Sequence, residues 1–373
     1  LLLIYKNGDS GYIKIYNFVN KALCITLEKP IEEPKYADGI QSDPLIFDLN
    51  GDGIKTSITA FQGIYYDYNN DGFAEKLAWG AFGDGVLVVD ANNDGKIQGS
   101  GDILTSLTLA SYDTNFDGKI DYQDEYFNSL KIMDEEYNLY SLEEAGIASI
   151  DISNTQDVNY TDENGNNCHK VGTFTTTDGQ EFEYGEYLVQ TDTGNSLEVE
   201  KLSETEAVTA LPDIANSGNV YSLHQAMLRD SELQTLVTSF TTETNDETRM
   251  SLLEQILLKW TGAETVETNS RGEHINAQHL AILEAFDGIG FYSKYESENG
   301  NPTPQNPNME AANLLQTKYE NFIINIYAEL MKQTHLEAYY NAIDKTGIKY
   351  DLSPVVALLQ TAITQDEVAG KEL

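Results

Sequence analysis

The chain has little cysteine and little histidine, and each shortage removes a class of site. Its 373 residues include two cysteines, Cys24 and Cys168, which lie far apart and without metal-ligand spacing. Neither a zinc site nor a disulfide framework is therefore supported. The five histidines form no His-x3-His or His-Glu-x-x-His pair, which disfavours a metal or catalytic role for them. They are His169, His224, His274, His279 and His335.

Basic side chains are also scarce. Lys and Arg total 22 against 61 Asp and Glu, which gives a formal net charge of −39 at pH 7. The chain cannot present a dominant basic surface, so we expect neither nucleic acid nor an anionic membrane as a partner. Clustered carboxylates repel one another in a compact state unless bound cations offset them. Calcium is the simplest such cation.

Long apolar runs are absent as well. No stretch approaches the ~18 apolar residues of a membrane span, so we expect no transmembrane segment. The apolar run Leu1–Ile4 is too short for a cleavable signal peptide. We therefore expect either a piece of a larger protein or a protein exported through a C-terminal signal.

The sequence pattern divides the chain into four parts. Residues 1–29 alternate apolar and polar side chains, which is typical of half-buried strands, and residues 30–43 form an acidic linker with prolines. Residues 44–195 mix short β-type runs with Asp, Asn and Gly loops, and predict helical stretches at Ile103–Ala110 and Tyr122–Met133. Residues 200–373 carry apolar side chains at helical spacing and predict an all-α domain of unknown function.

Four segments of the third part carry Asp-x-Asn-x-Asp-Gly, the front half of an EF-hand calcium loop. In that loop oxygen ligands come from the first, third and fifth positions, a main-chain carbonyl and a closing carboxylate, while glycine permits the sharp turn. The predicted calcium ligands are Asp48, Asn50 and Asp52; Asp67, Asn69 and Asp71; Asp90, Asn92, Asp94 and the Lys96 carbonyl; and Asp113, Asn115, Asp117 and the Lys119 carbonyl.

The closing carboxylate differs among the loops. Asp124 stands at the twelfth place of the fourth loop, and Asp102 stands one residue late in the third. The first two loops lack an acid there, which leaves Glu75 and Asp84 as candidates. A single loop of this kind is equally well explained as a polar turn, but four with the same glycine favour calcium. We expect affinities of the extracellular type, ~10⁻⁴ to 10⁻³ M, so that export fills the sites.

A reactive bond, Asp43-Pro44, stands just before the first loop and is the chain's only Asp-Pro pair. The aspartate carboxyl can attack its own main-chain carbonyl and close a five-membered anhydride while the proline nitrogen leaves. A folded site favours this reaction by holding the attack geometry and delivering a proton, for which Tyr65 and Tyr66 are candidates. One such pair is also expected by chance from the composition.

Further motifs follow the Asp-Pro bond in a fixed order. They are Asp43–Gly53, Trp79, Asp84–Asp90, the Asp113 loop and Glu144–Ile150. This order resembles the self-processing module of FrpC-like repeat-in-toxin (RTX) proteins of Gram-negative bacteria over residues 43–190. The resemblance implies calcium-dependent autocatalytic cleavage, with Asp43 as nucleophile and Pro44 as leaving group. It also implies transfer of the aspartyl anhydride to a lysine-bearing protein as an isopeptide cross-link, and secretion or surface display through type I secretion.

The expected fold class is α+β: a calcium-loop-rich self-processing domain with EF-hand-like loops. The resemblance implies that residues 1–29 are the β-rich end of an RTX repeat block, while an all-α domain follows. Cleavage of this kind is a single-turnover event rather than the work of a turnover enzyme. Two alternatives stay open: a purely structural calcium module of a bacterial adhesin or toxin, and a partner-binding module of dockerin type.

Overall fold

The protein is described from a computed structural model, which defines residues 2–3, 12–16, 22–26, 43–59, 62–91, 93–97, 99, 101–291, 305–343 and 351–369. The chain divides into two compact units, Leu1–Gly39 with Phe291–Gln305, and Ile40–Gly290 with Asn306–Leu373. In the first unit an antiparallel sheet is formed by β1 (Leu2–Leu3), β2 (Tyr12–Tyr16) and β3 (Ala22–Thr26). The linker predicted for residues 30–43 lies outside the described residues except for Asp43.

The second unit carries the remaining strands. They are β4 (Leu45–Phe47), β5 (Ile64–Tyr66), β6 (Phe73–Leu77), β7 (Gly85–Val89), β8 (Lys119–Ile120), β9 (Leu130–Met133), β10 (Leu139–Ser141), β11 (Ile147–Thr161), β12 (Asn167–Thr176), β13 (Glu181–Leu188) and β14 (Thr191–Glu198). Eight of them form one antiparallel sheet in the order β10-β9-β7-β4-β13-β12-β11-β8, and β14-β6-β5 form a smaller sheet.

The side chains of strand β4 pack into buried clusters on both faces of the large sheet. Leu45 and Phe47 pack into one buried cluster with Tyr184, while Ile46 packs into the other with Trp79. All three β4 residues are fully buried, as expected for a strand whose successive side chains point to opposite, covered faces. Pro44, which precedes this strand, is therefore attached to a fully buried segment.

The helices of the second unit follow mostly after the sheets. They are α1 (Ser106–Leu109), α2 (Glu206–Thr209), α3 (Leu223–Arg229), α4 (Ser231–Thr242), α5 (Asp246–Thr261), α6 (Ala277–Asp287), α7 (Met309–Gln333), α8 (Glu337–Asn341) and α9 (Ser353–Ala369). The apolar faces of α3 to α7 share one core, which includes Phe240, Leu257 and Leu330. Among the described residues, no helix has the length and apolar character needed to cross a membrane.

One predicted helix is wrong. Tyr122–Met133 contains only a 3-10 turn at Phe127–Ser129, and its end is the strand β9 between β7 and β10. The apolar residues Leu130, Ile132 and Met133 are compatible with either helical or strand periodicity, and pairing with the buried edge of β7 decides for the strand. The stretch Ile103–Ala110 contains α1, which continues as a 3-10 turn.

The α+β class is confirmed, but the description as a calcium-loop-rich domain with EF-hand-like loops is wrong. Across the described ranges, no three His, Cys, Asp or Glu side chains are grouped so that they could hold a metal ion. The loops are hydrogen-bonded turns among strands. In the fourth, Asp113 accepts the N–H groups of Asp117 at 3.1 Å and Gly118 at 3.0 Å. The expected closing residue, Asp124, instead accepts N–H groups from residues 114, 115 and 121.

Candidate functional site around Asp43

The Asp43-Pro44 bond lies immediately before β4. Pro44 is buried, and its carbonyl accepts the N–H of Tyr187 at 3.1 Å. Leu45 then pairs with Glu186 in the antiparallel ladder between β4 and β13. Proline suits this first position because no N–H is needed there. The leaving-group side of the bond is thus fixed by the sheet.

The Asp43 carboxyl is half-buried and incompletely hydrogen-bonded. Its Oδ1 atom is buried and accepts no hydrogen bond. Burial raises the pKa of this carboxyl, His169 opposes that shift, and the charge of Glu186 adds to it. An oxygen that has lost water without gaining a donor is poorly stabilised as an anion, and it is correspondingly available as a nucleophile.

Glu186 pairs with Leu45 next to the Asp43-Pro44 bond, and its carboxylate is held by hydrogen bonds. It is 4% exposed, and its carboxylate accepts the N–H of Ser106 at 2.9 Å and the Ser106 hydroxyl at 2.6 Å. Ser106 is the first residue of α1, so its N–H has no partner within the helix and is free to bind a carboxylate. The His169 Nε2 atom lies 3.5 Å from Glu186 Oε2.

A β-bulge brings His169 to this position. In the ladder between β12 and β13, Cys168 pairs with Tyr187 and Lys170 pairs with Glu186, with a register shift between the two pairs. His169 is the extra residue on β12, and bulges of this kind re-aim a side chain. No spacing in the sequence links His169, Glu186 and Ser106, so the sequence alone disfavours a role for this histidine and does not predict the other two.

The tyrosines considered as proton donors are engaged elsewhere. The Tyr66 hydroxyl donates to the Gly99 carbonyl at 2.5 Å, and the Tyr65 hydroxyl donates to Asn195 Oδ1 at 2.9 Å. Neither hydroxyl proton is therefore directed to the nitrogen of Pro44.

The first aspartate of each predicted calcium loop accepts N–H groups of its own loop. This holds for Asp48, Asp67, Asp90 and Asp113. Asp52, Asp71, Asp94 and Asp117 occupy the fifth positions, and Asn50, Asn69 and Asn115 the third; Lys96 and Lys119 follow the glycines. Asn92 lies outside the described residues. The main chain of Asp102 pairs with Val89 and Gly99.

Asp84, one of the two candidate closing carboxylates of the first two loops, lies beside the first loop. Its oxygens accept the N–H groups of Leu49 at 3.1 Å and Lys55 at 2.7 Å, and its side chain is buried. Burial raises its pKa to about 7 despite these bonds, and the charges of Asp48 and Asp52 add to the shift. Asp84 therefore ties both ends of the loop together.

Glu75 stands beside the second loop and is the least satisfied buried carboxylate described. It is 1% exposed, and its Oε2 atom has no hydrogen-bond partner. Burial raises its pKa to about 7, and the nearby charges of Asp71 and Asp67 contribute. A carboxylate oxygen is the kind of ligand that a hard cation such as calcium prefers, so the orphaned Glu75 oxygen fits one position of such a site.

Two comparisons with known proteins concern the region that includes this site. Residues 45–190, which begin directly after Pro44, match the family model of the SPM domain. The chain is also similar to the iron-regulated protein FrpA of Neisseria meningitidis serogroup C, with 25% identity over 358 residues. That match covers 81% of this chain and 32% of FrpA, so the chain spans about a third of the relative's length. Both matches support the relationship to FrpC-like proteins that the motif order suggests.

Proposed function

We propose that this protein cleaves its own Asp43-Pro44 bond in a calcium-dependent manner, as part of a protein secreted from or displayed on a Gram-negative bacterium. The observation that carries the proposal is the buried, unpartnered Oδ1 of Asp43 directly before a proline held by β4. The RTX character and the secreted location rest on the similarity to FrpA and on the SPM match.

The covalent bonds that form and break in this reaction lie within Asp43 and Pro44. A carboxylate oxygen of Asp43 attacks the main-chain carbonyl carbon of the same residue, and the bond from that carbon to the Pro44 nitrogen breaks. The nitrogen takes the electron pair and one proton, which leaves a cyclic aspartyl anhydride and a new N-terminal proline. Attack within one residue gains from proximity, which for well-oriented groups amounts to about 7–11 kcal/mol of the barrier.

The anhydride then reacts with water or with an amine. When a lysine Nζ attacks, a carbon–nitrogen bond forms, the anhydride carbon–oxygen bond breaks, and the nitrogen releases a proton to solvent. The product is an Asp-Lys isopeptide bond between Asp43 and a lysine-bearing protein. We include this cross-link in the proposal because the anhydride is an acylating agent on either route.

Calcium is the proposed cofactor. Glu75 would be one of its oxygen ligands, and the local support for this assignment is its buried Oε2 atom, which has no hydrogen-bond partner. The bound ion would neutralise neighbouring carboxylates and stabilise the folded arrangement of the loops.

The test is cleavage of the purified chain. Incubation in about 1 mM calcium, within the range of extracellular sites, should split it after Asp43 into residues 1–43 and 44–373, as read by mass spectrometry. Asp43→Ala should remain one species. Asp157→Ala is the matched control, because that side chain is 92% exposed and distant in sequence from the bond. An unchanged mass of the wild-type chain in calcium would refute the proposal.

A purely structural calcium module is the second candidate. The observation in its favour is that the loop aspartates accept their own backbone N–H groups, as turn-forming residues do. It predicts a higher melting temperature in calcium with no change in mass. The same samples therefore distinguish the two functions.

A further inference from the structure

The proposed cleavage needs a proton at the nitrogen of Pro44, since an amide nitrogen leaves poorly unless it is protonated. We infer that His169 is the proton donor, held for this task by Glu186 and Ser106. This inference rests on the proposed function and adds to it the general acid of the reaction. The bulge in β12 places this histidine beside Glu186, which pairs with the first residue of β4.

The chain of contacts behind His169 is rigid and directional. Ser106 donates hydrogen bonds from both its N–H and its hydroxyl to Glu186, and these two bonds fix the orientation of the carboxylate. Glu186 Oε2 then faces His169 Nε2 at 3.5 Å. A buried carboxylate beside an imidazole fixes the orientation of the ring. Glu186 also pairs with Leu45, so the whole arrangement is anchored beside the scissile bond.

The other titratable groups around the bulge are occupied. Lys170 lies 3.8 Å from Asp157, and the hydroxyls of Tyr160 and Tyr187 are hydrogen-bonded to each other at 2.9 Å. The groups whose charges act on the Asp43 carboxyl are His169 and Glu186. Of these two, the histidine is the one that carries a transferable proton in its cationic form.

The step balances in atoms and charge. The Asp43 carboxylate attacks its own carbonyl carbon, the carbon–nitrogen bond breaks, and the imidazolium of His169 gives its proton to the departing nitrogen. The anionic carboxylate and cationic imidazolium become a neutral anhydride, a neutral secondary amine and a neutral imidazole. The His169 side chain is 37% exposed, so solvent can restore its proton.

The main variant is His169→Gln, assayed for cleavage in calcium across pH. A general acid contributes ~10²- to 10⁴-fold, and we expect a loss near 10²-fold because solvent reaches this side chain and partly replaces it. The wild-type rate should fall as pH rises, because a general acid must carry its proton to act. That fall should be missing in His169→Gln, and added imidazole should raise the rate of His169→Ala.

Two further variants separate proton donation from a structural role. Glu186→Gln keeps the shape of the side chain but removes the carboxylate that orients the imidazole, so cleavage should be slower than in the wild type. His274→Gln is the matched control: that histidine is 35% exposed and lies 3.8 Å from Glu273 in another part of the chain. Its cleavage rate and pH profile should equal those of the wild type.

The outcomes are distinct for the two proposals. If His169→Gln cleaves like the wild type while Asp43→Ala does not cleave, His169 is not the donor and the cleavage proposal stands. If His169→Gln is slow but the wild-type pH profile persists and imidazole gives no rescue, its role is structural and the inference is overturned. If the wild type itself does not cleave, both proposals fall. Melting temperatures of all variants exclude unfolding as the cause.

Discussion

Asp134, in the turn between β9 and β10, and Asp43, before β4, show two opposite uses of one side chain. The Asp134 carboxylate accepts the N–H groups of Glu136 and Asn138, each at 2.9 Å, and also the Asn138 amide and the Tyr140 hydroxyl. Burial alone would raise its pKa, but these hydrogen bonds outweigh burial and lower it. Asp43 has a buried oxygen without a donor and a raised pKa.

The difference lies in where each aspartate stands relative to free backbone N–H groups. A turn exposes several N–H groups that a carboxylate can accept, which stabilises both the turn and the anion. A residue entering a central strand meets no such set. Asp113, like Asp134, accepts N–H groups of its own turn. Glu75, like Asp43, has a buried oxygen without a donor. In so acidic a chain, a carboxylate that lacks hydrogen-bond donors points to a function more clearly than a carboxylate that stabilises a turn.

The largest expected effect tests the turn side of the comparison. Asp134→Ala should lower the free energy of unfolding by about 3 kcal/mol at neutral pH, because several hydrogen bonds of about 1 kcal/mol each are lost. A lowered folded pKa means that this stability is present above the unfolded value of 3.8 and disappears as pH falls through the folded value. Urea unfolding in a chelator at neutral and acidic pH measures both.

Asp157→Ala serves as its control, since that side chain is 92% exposed. Equal unfolding free energies for Asp134→Ala and the wild type at neutral pH would show that the turn carboxylates do not stabilise the fold.

The second effect concerns Glu75. Glu75→Gln removes a buried charge with an unpartnered oxygen, so without calcium it should raise the free energy of unfolding by about 2 kcal/mol. The raised pKa of about 7 means that the gain is full above pH 7 and fades as pH falls toward the ordinary value of 4.5. In calcium the sign should reverse, because the variant loses a ligand and is stabilised less by the ion.

Thermal melts with and without calcium measure this pair of effects. The control is Glu181→Gln, whose side chain is exposed on β13. If calcium raises the melting temperature of Glu75→Gln as much as that of the wild type, Glu75 is not a calcium ligand.

Much of the fold could be predicted because its signals are local. The apolar run Val86–Val89 and the alternation in Ile147–Ile152 identify strands without any knowledge of their partners, and Leu253–Trp260 identifies a helix by its spacing. The helix predicted over Leu130–Met133 is wrong, because the apolar residues of this segment suit both periods. The choice was made by pairing with β7, a partner about forty residues away along the chain.

Of the candidate site, only the Asp43-Pro44 bond could be predicted from the sequence. The reactivity of Asp43-Pro44 follows from two adjacent residues, so the sequence contains it. The contribution of His169 depends on a register shift in β12, and that of Glu186 depends on its pairing with Leu45. Neither feature leaves a recognisable spacing. In the loops the sequence predicts too much. The acidic pattern predicts an EF-hand-like ligand set, but the carboxylates accept hydrogen bonds within their own turns.

The smallest expected effect returns to Asp43 and tests the comparison directly. Asp43→Asn should raise the free energy of unfolding by about 1 kcal/mol at neutral pH, because a half-buried oxygen without a donor no longer carries charge. Since the folded pKa lies above the unfolded value of 3.8, the wild type is fully stable only at acidic pH and loses stability as pH rises through the folded value. The gain in Asp43→Asn should therefore vanish in acid.

The same substitution at Asp134 should act in the opposite direction, because an amide cannot accept the full set of hydrogen bonds that the carboxylate accepts. Urea unfolding of Asp43→Asn, Asp134→Asn and the wild type in a chelator, which prevents the proposed cleavage, measures all three. If both substitutions change the free energy of unfolding in the same direction, the hydrogen bonds to the carboxylate oxygens do not distinguish Asp43 from the turn aspartates. Opposite signs would mark Asp43 as a residue kept at a cost to stability, as a site built for chemistry requires.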